Sequence, residues 1–190
     1  MNRLLRKAVV AVALVTTSLG LVATSAGEAT AGSADRRGSL GYTQVVVAPD
    51  VYALIASAGI APAPVEGAKA FPFKGTLAAR FPITGFRVAG LQIRHSGGIS
   101  LSKDAASIVL KNFNIDLGRQ RVSAEVSVAS GSVGRVDVFK LRSSDRPDLG
   151  LVKLTLTSTA ASALNATFGA TAFAEDATFG YASPRPFAPF

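Results

Sequence analysis

Few side chains in this sequence could do chemistry, and their scarcity limits what the protein can catalyse. The 190 residues include one His and no Cys. Thiol catalysis, iron–sulfur clusters and cysteine-based zinc sites are therefore excluded, and histidine-rich metal sites are disfavoured. A serine hydrolase needs a base within hydrogen-bond reach of its nucleophile. His95 and Ser96 are sequence neighbours, but the Gly-x-Ser-x-Gly turn that presents the serine in many hydrolases is missing.

Two further enzyme classes are also disfavoured. Ser100 and Lys103 match the Ser-x-x-Lys pattern of penicillin-interacting enzymes, but the Ser-Asp-Asn and Lys-Thr-Gly motifs are absent. Glycosidases need two carboxylates facing each other across a sugar cleft, whereas the acidic residues here fall mainly in predicted turns. We therefore predict a protein that is not an enzyme, and an unrecognised extracellular hydrolase is the remaining catalytic alternative.

His95 is the one side chain whose type and position could serve a binding site. It ends a predicted strand just before Gly97 and Gly98, and counting back by twos gives Ile93 and Leu91. The imidazole is therefore expected on the apolar face of the strand, at its rim. Two roles are open: a structural histidine bonded to a neighbouring backbone group, or a ligand or a ligand's hydrogen-bond partner at a pocket mouth.

The first 31 residues have the pattern of a secretory signal peptide. A basic start precedes an uncharged run over residues 8–27, and Ala29-Thr30-Ala31 supplies the small residues of a cleavage site. A transmembrane anchor would need about 20 strongly apolar residues, and this run turns polar from Thr16. We expect cleavage, no transmembrane segment afterwards, and a secreted, extracellular location, either free or associated with the cell wall.

The chain is basic, with a formal net charge of +8. Its Lys and Arg residues are spread singly rather than clustered with aromatic residues, which argues against nucleic acid as a partner. The charge predicts a solvated surface or, alternatively, attraction to an anionic cell-wall polymer. Removing the leader leaves roughly 160 residues, the usual size of one domain with its own core.

Two helices are predicted in an otherwise strand-like sequence. Asp50 is expected to cap the first helix at its N-terminus, and Gly59 follows its end with Pro62 just beyond. The second helix is predicted over 158–169, with apolar residues repeating every four positions. A connector is predicted over residues 61–68.

Strict alternation of apolar and polar residues predicts strands from about Phe81 onwards. The alternating apolar sets are Ile99 and Leu101; Phe113, Ile115 and Leu117; Val122, Ala124, Val126 and Val128; and Val152, Leu154 and Leu156. Short strands separated by Gly-, Ser- and Asp-rich turns indicate a mainly β fold, an antiparallel β-sandwich or barrel-like domain with two short helices. We divide the chain into a signal peptide (1–31), an N-terminal segment (32–49), a β-rich domain (50–182) and a Pro-rich tail (183–190).

Two stretches resemble a known family. The segment His95-Ser-Gly-Gly-Ile-Ser-Leu101 is similar to the His-x-Gly-x-Leu segment of the HtaA domain, a secreted haem-binding module of Gram-positive bacteria. Residues 154–168 and 173–180 resemble the helix and closing strand of that family and of related uncharacterised exported proteins. The resemblance implies that a Tyr from an early helical segment ligates haem iron and that the motif His supports it. The matching residues are Tyr52 and His95.

Two functions are therefore open. The first is a secreted, non-enzymatic binding or cell-envelope-associated module whose ligand is unknown. The alternative is an HtaA-type protein that binds haem as its cofactor, with Tyr52 as iron ligand and His95 as the hydrogen-bond partner of Tyr52. The opposing interpretation of Tyr52 is that its ring packs on the sheet while its hydroxyl faces solvent.

The signal-peptide pattern makes a direct prediction about the secreted protein. Cleavage after Ala31 would leave a chain that begins at Gly32, within a few residues, because the small-residue cleavage motif ends there. N-terminal sequencing of protein recovered from the culture medium measures this, and secreted material that begins at Met1 would contradict it.

Overall fold

The computed structural model describes residues 38–190, which form eleven strands and two helices; the predicted signal peptide lies outside them. The strands are β1 (Gly41–Val47), β2 (Ala61–Val65), β3 (Lys69–Phe73), β4 (Thr76–Arg87), β5 (Gln92–His95), β6 (Gly98–Lys103), β7 (Ala106–Asp116), β8 (Arg121–Val128), β9 (Gly131–Ser143), β10 (Val152–Leu156) and β11 (Thr178–Pro186). The helices are α1 (Pro49–Ser57) and α2 (Ser158–Phe168). Neither is long and apolar enough to cross a bilayer.

Eight of the strands close into an antiparallel barrel. The ring runs β7-β5-β4-β1-β11-β10-β9-β8, and a further pairing between β7 and β8 completes it. The mainly β prediction is therefore confirmed, and of its two forms the barrel is the one observed. Closure pairs both edges of every strand in the ring, so the ring has no free edge of its own.

Three strands, β2, β3 and β6, lie outside this ring. β6 pairs with the same side of β7 as β5 does, so β5 and β6 act as two pieces of one long strand that is interrupted at Ser96 and Gly97. β2 pairs with β6, whereas β3 pairs with β4. β2 and β3 thus diverge from their shared turn and follow different parts of the wall. The predicted connector over 61–68 is mostly this strand β2, in which Pro62 and Pro64 lack a backbone N–H.

The alternation predicted for the strands correctly identified inward-facing residues. Val122, Ala124 and Val126 are buried on β8, and Leu154 and Leu156 are buried on β10. Leu117 differs, because it lies just past the end of β7 and is exposed. Inward-facing residues of the strands merge with α1 and α2 in a single large core.

Both helices lie at the same end of the barrel. β1 and β10 each pair antiparallel with β11, so they run in the same direction and their C-terminal ends meet at one rim. α1 follows β1, and α2 follows β10. Short turns close the opposite rim. The barrel therefore has a helical end and a turn end.

The helix boundaries agree with the prediction except at one cap. Gly59 (φ +71°) adopts the left-handed conformation after α1, as expected. Gly169 (φ +61°), which the prediction included in the second helix, adopts the same conformation just after α2. Asp50 is not an N-cap, because α1 begins one residue earlier at Pro49 and Ala48 occupies the cap without a side-chain hydrogen bond. Proline favours that first position since its missing N–H would have no helical partner.

The barrel also extends on both sides of the 50–182 range. β1 lies within the segment assigned to the N-terminus, and β11 continues through residues 183–186 of the segment assigned to the tail, where Gly41 pairs with Pro186. The first and last strands of the domain thus complete the ring together.

Two adjacent glycines sit where backbone segments meet. A Cβ on Gly98 would overlap the Leu110 carbonyl oxygen and lie 2.9 Å from the Lys111 Cα. A Cβ on Gly97, which has φ +72°, would lie 2.8 Å from both the Ala68 nitrogen and the Glu66 oxygen. The β2–β3 turn and β7 therefore pack directly against the backbone of Gly97 and Gly98.

We expect Gly98→Ala to destabilise the domain by about 2 kcal/mol or more, because the added methyl group meets rigid backbone. Gly85→Ala is the matched control, since a Cβ there meets nothing within 4 Å. Thermal unfolding followed by circular dichroism measures both. Equal melting temperatures for the two variants would contradict the close approach at Gly98.

Candidate functional site

The barrel encloses an apolar cavity that reaches the helical end. Its volume is about 80 Å³, and its mouth opens to solvent. Alternate residues of β1 and β4 line one side, and α1 adds Tyr52 and Ile55. Thr43, Tyr52 and His95 are the polar residues of the lining, and the rest are aliphatic, proline or phenylalanine side chains. Such a cavity suits a largely apolar ligand held by few polar contacts.

His95 is a buried part of this lining, with 5% of its surface exposed. Its Nδ1 lies 3.1 Å from the Phe113 carbonyl oxygen, and its Nε2 lies 2.7 Å from the Thr43 hydroxyl. A carbonyl oxygen can only accept, so Nδ1 carries the proton and Nε2 accepts from Thr43. The imidazole thereby links β1, β5 and β7 across the width of β4.

The Phe113 carbonyl is available because β7 is irregular at this point. The register between β7 and β8 shifts between Lys111 and Asn114. Asn112, next to Phe113, has φ +52°. A bulge of this kind interrupts the ladder and leaves a backbone group for another partner.

Burial makes the His95 imidazole a weak base. Desolvation lowers its pKa from 6.5 to about 4, although the hydrogen bond to Phe113 acts in the opposite direction. The ring is therefore neutral at neutral pH.

Tyr52 is the one tyrosine that lines the cavity. The ring of Tyr42 lies outside it, 4.6 Å from the Arg80 guanidinium and 6.2 Å from the Phe190 ring. The Tyr181 hydroxyl donates to Asp145 over 3.1 Å. The structure thus brings both predicted site residues, Tyr52 and His95, to one cavity. Among the described residues the two share no direct hydrogen bond.

Sequence analysis missed Thr43 and the Phe113 carbonyl. Thr43 lies in β1, within residues that we assigned to an N-terminal segment. The strand-like run Tyr42-Thr43-Gln44-Val45-Val46 was the available signal, since β-branched and aromatic residues favour strands. The Phe113 carbonyl becomes available only through a bulge, for which the sequence carries no comparable signal.

The pKa of His95 predicts a specific loss of stability in acid. Its folded-state pKa lies below the unfolded value, so the stabilisation is complete above pH 6.5 and decreases as pH falls to about 4. The decrease amounts to about 3 kcal/mol. Chemical denaturation of the wild type and of His95→Gln between pH 7 and 4 measures it, because the amide does not titrate. The stabilities of the two proteins should converge in this range, and parallel pH profiles would contradict the assignment.

Comparison with known proteins supports a relationship at the level of fold. No family model matches the sequence, and no curated protein matches it. Among solved structures, the chain is similar to the C-terminal domain of HtaA from Corynebacterium glutamicum, with a TM-score of 0.51, 12% identity and coverage of 76% of this chain and 95% of that one. It is also similar to the haem-binding protein HtaB from the same organism, with a TM-score of 0.52, 11% identity and coverage of 76% and 91%. The resemblance stated from the sequence is confirmed as a structural one: the chain has the HtaA-type fold.

Proposed function

We propose that this protein is an extracellular, non-enzymatic module that binds haem in the apolar cavity of its barrel. The observation that carries the proposal is the composition of the cavity, an apolar interior that contains one phenol and one neutral imidazole. The fold adds support, because HtaB is a haem-binding protein. The anionic wall polymer considered from the net charge gains no comparable support.

The residues of the cavity fit a haem group. The apolar lining has the polarity that the macrocycle needs, and the cavity of about 80 Å³ would have to widen to admit it. Tyrosine is one of the side chains that ligate haem iron. Other ligands are scarce in this chain, since it has no Cys, one Met at the initiator position and one His. Both ring nitrogens of that histidine already have partners. Tyr52 is therefore the residue that would hold the iron, which the bound group itself would supply.

His95 would act on Tyr52 rather than on the iron. A phenol ligates iron best after it has lost its proton. Nε2 of His95 is the ring nitrogen able to accept a hydrogen bond from the phenol, because Nδ1 is protonated and donates to Phe113. Nε2 would have to release the Thr43 hydroxyl, its partner here. That hydrogen bond would draw the phenol proton away from the iron-facing oxygen of Tyr52 and orient that oxygen.

A hydrolase built on the same residues is disfavoured by its chemistry. Thr43 and His95 lie 2.7 Å apart, which is the spacing of a nucleophile and its base. However, Thr43 is 2% exposed and His95 is 5% exposed. A base whose pKa is about 4 also accepts a proton poorly at neutral pH. We infer that the pair positions groups inside a binding cavity.

Haemin titration of the purified protein, followed by its absorption spectrum, tests the proposal. We expect a saturable shift of the Soret band in the wild type. Tyr52→Phe should remove the phenolate spectrum and weaken binding at least tenfold, because it deletes the ligand and leaves the apolar lining intact. Tyr42→Phe and Tyr181→Phe are matched controls, since both phenols lie outside the cavity, and they should bind as the wild type does.

The outcomes distinguish the role of Tyr52 as iron ligand from haem binding by the cavity. If haemin binds equally well to Tyr52→Phe with an unchanged spectrum, Tyr52 is not the ligand. If haemin does not bind at all while an apolar fluorescent dye does, the cavity serves another apolar ligand and the haem proposal is wrong.

A further inference from the structure

The turn end of the barrel carries most of the exposed apolar residues of the described chain. Among its eight exposed large apolar side chains, six lie where β4, β7 and β11 end or where β1 and β5 begin. All five of these strand ends lie at the rim opposite the helices, because each of these strands pairs antiparallel with its neighbours in the ring. We call this set the apolar rim: Leu40, Phe86, Val88, Leu91, Leu117 and Phe187.

Members of the apolar rim adjoin one another. The rings of Phe86 and Phe187 are 6.2 Å apart, and the Phe187 amide donates to the Leu40 carbonyl over 2.8 Å. The Leu117 amide donates to the Leu91 carbonyl over 3.0 Å, and the Leu91 amide donates to Val88 over 3.1 Å. The rim therefore forms two adjoining groups across the β4–β5 turn.

The rim exposes its side chains to an unusual degree. Val88 is 83% exposed and Phe187 is 82% exposed. Leu91 is 57% exposed and adopts φ +48°, a left-handed conformation that is costly for leucine and turns the chain at the end of the 3₁₀ turn Val88–Gly90. Clustered apolar groups of this kind mark interaction surfaces more often than scattered ones do.

The charged residues around the rim are mostly arginines. Arg87 lies between Phe86 and Val88, and Arg185 lies two residues before Phe187. Within the described residues neither forms an ion pair, nor does Arg121 at the start of β8. Arg119 pairs with Asp137 over 3.4 Å.

An acidic side chain, Asp116, lies at the end of β7 beside Arg119. Asp116 accepts hydrogen bonds from the Arg119 amide and from Gln92, and these bonds hold the pKa of its carboxyl below the ordinary value. Its charge is therefore engaged within the turn, and the surroundings of the rim are positive overall.

We propose that the apolar rim docks the domain on an anionic phospholipid bilayer, with the turn end facing the lipid and the helical end facing away. The apolar side chains lie at the end of β4, on the turns that follow β4 and β7, and on the segments just before β1 and just after β11, so they cover one end of the barrel. The arginines complement lipid phosphates, and anionic lipids attract each such charge. The membrane surface is a partner separate from the proposed haem site.

Vesicle co-sedimentation tests this surface without reference to haem. Vesicles of phosphatidylcholine and phosphatidylglycerol should bind the purified protein, and neutral phosphatidylcholine vesicles should bind it far more weakly. Arg87→Gln and Arg185→Gln should each lower partitioning about fivefold, and Val88→Asp should lower it more than tenfold. Val133→Asp is the matched control, since Val133 is 58% exposed at the helical end, and it should bind as the wild type does.

Tryptophan fluorescence reports which end enters the lipid. The natural chain has no Trp, so Val88→Trp and Val133→Trp each introduce a single probe. The emission of the first should shift to shorter wavelength with anionic vesicles, and that of the second should not. Shifts in both variants or in neither would overturn the proposed orientation.

Other occupants of the rim give distinct results. Concentration-dependent self-association in analytical ultracentrifugation that Val88→Asp abolishes would mean that a second copy covers the rim, and the membrane proposal would be wrong. Binding to polyglutamate as strong as to anionic vesicles, with no wavelength shift for Val88→Trp, would reduce the surface to a charge-only site and would also overturn the proposal.

Discussion

The arrangement of the cavity depends on the hydrogen bonds of one buried imidazole. His95 accepts from Thr43 on β1 and donates to the Phe113 carbonyl on β7, so both ring nitrogens are satisfied inside an apolar core. Leaving either partner unpaired would cost about 1–3 kcal/mol for that group. The same bonds fix the neutral tautomer and keep a polar edge facing the cavity. The cavity can therefore be apolar in composition and still contain one acceptor nitrogen.

The fold class could be predicted from the sequence because most strands bury only one face. Val122, Ala124 and Val126 follow the two-residue period that a barrel wall requires, and they are buried as expected. The strands that sequence reasoning missed lack that period. β2 reads Ala-Pro-Ala-Pro-Val and resembles a linker, and β1 is buried on both of its faces, where a small outer cluster covers Val46. A strand that is buried on both faces has no alternation of apolar and polar residues.

The site was only partly predictable, because some of its features are local in sequence and others are not. The glycine pair after His95 is visible in the sequence, and its physical role is the close approach of backbone from β7 and from the β2–β3 turn. The family resemblance singled out Tyr52, and the structure gives the physical difference: Tyr52 lines the cavity, whereas Tyr42 and Tyr181 do not. The partners of His95 depend on a bulge and on a strand 52 positions away in sequence. Pairings over such a distance are set by register rather than by any local pattern.

The two prolines of β2 have a consequence for the protein in concentrated solution. β2 belongs to no closed ring, so one side of it presents an edge to which a strand of another molecule could add. An added strand needs backbone N–H donors at alternate positions, and prolines at 62 and 64 remove two of them within five residues. The free edge of β2 can thus remain unpaired without offering a template for fibres.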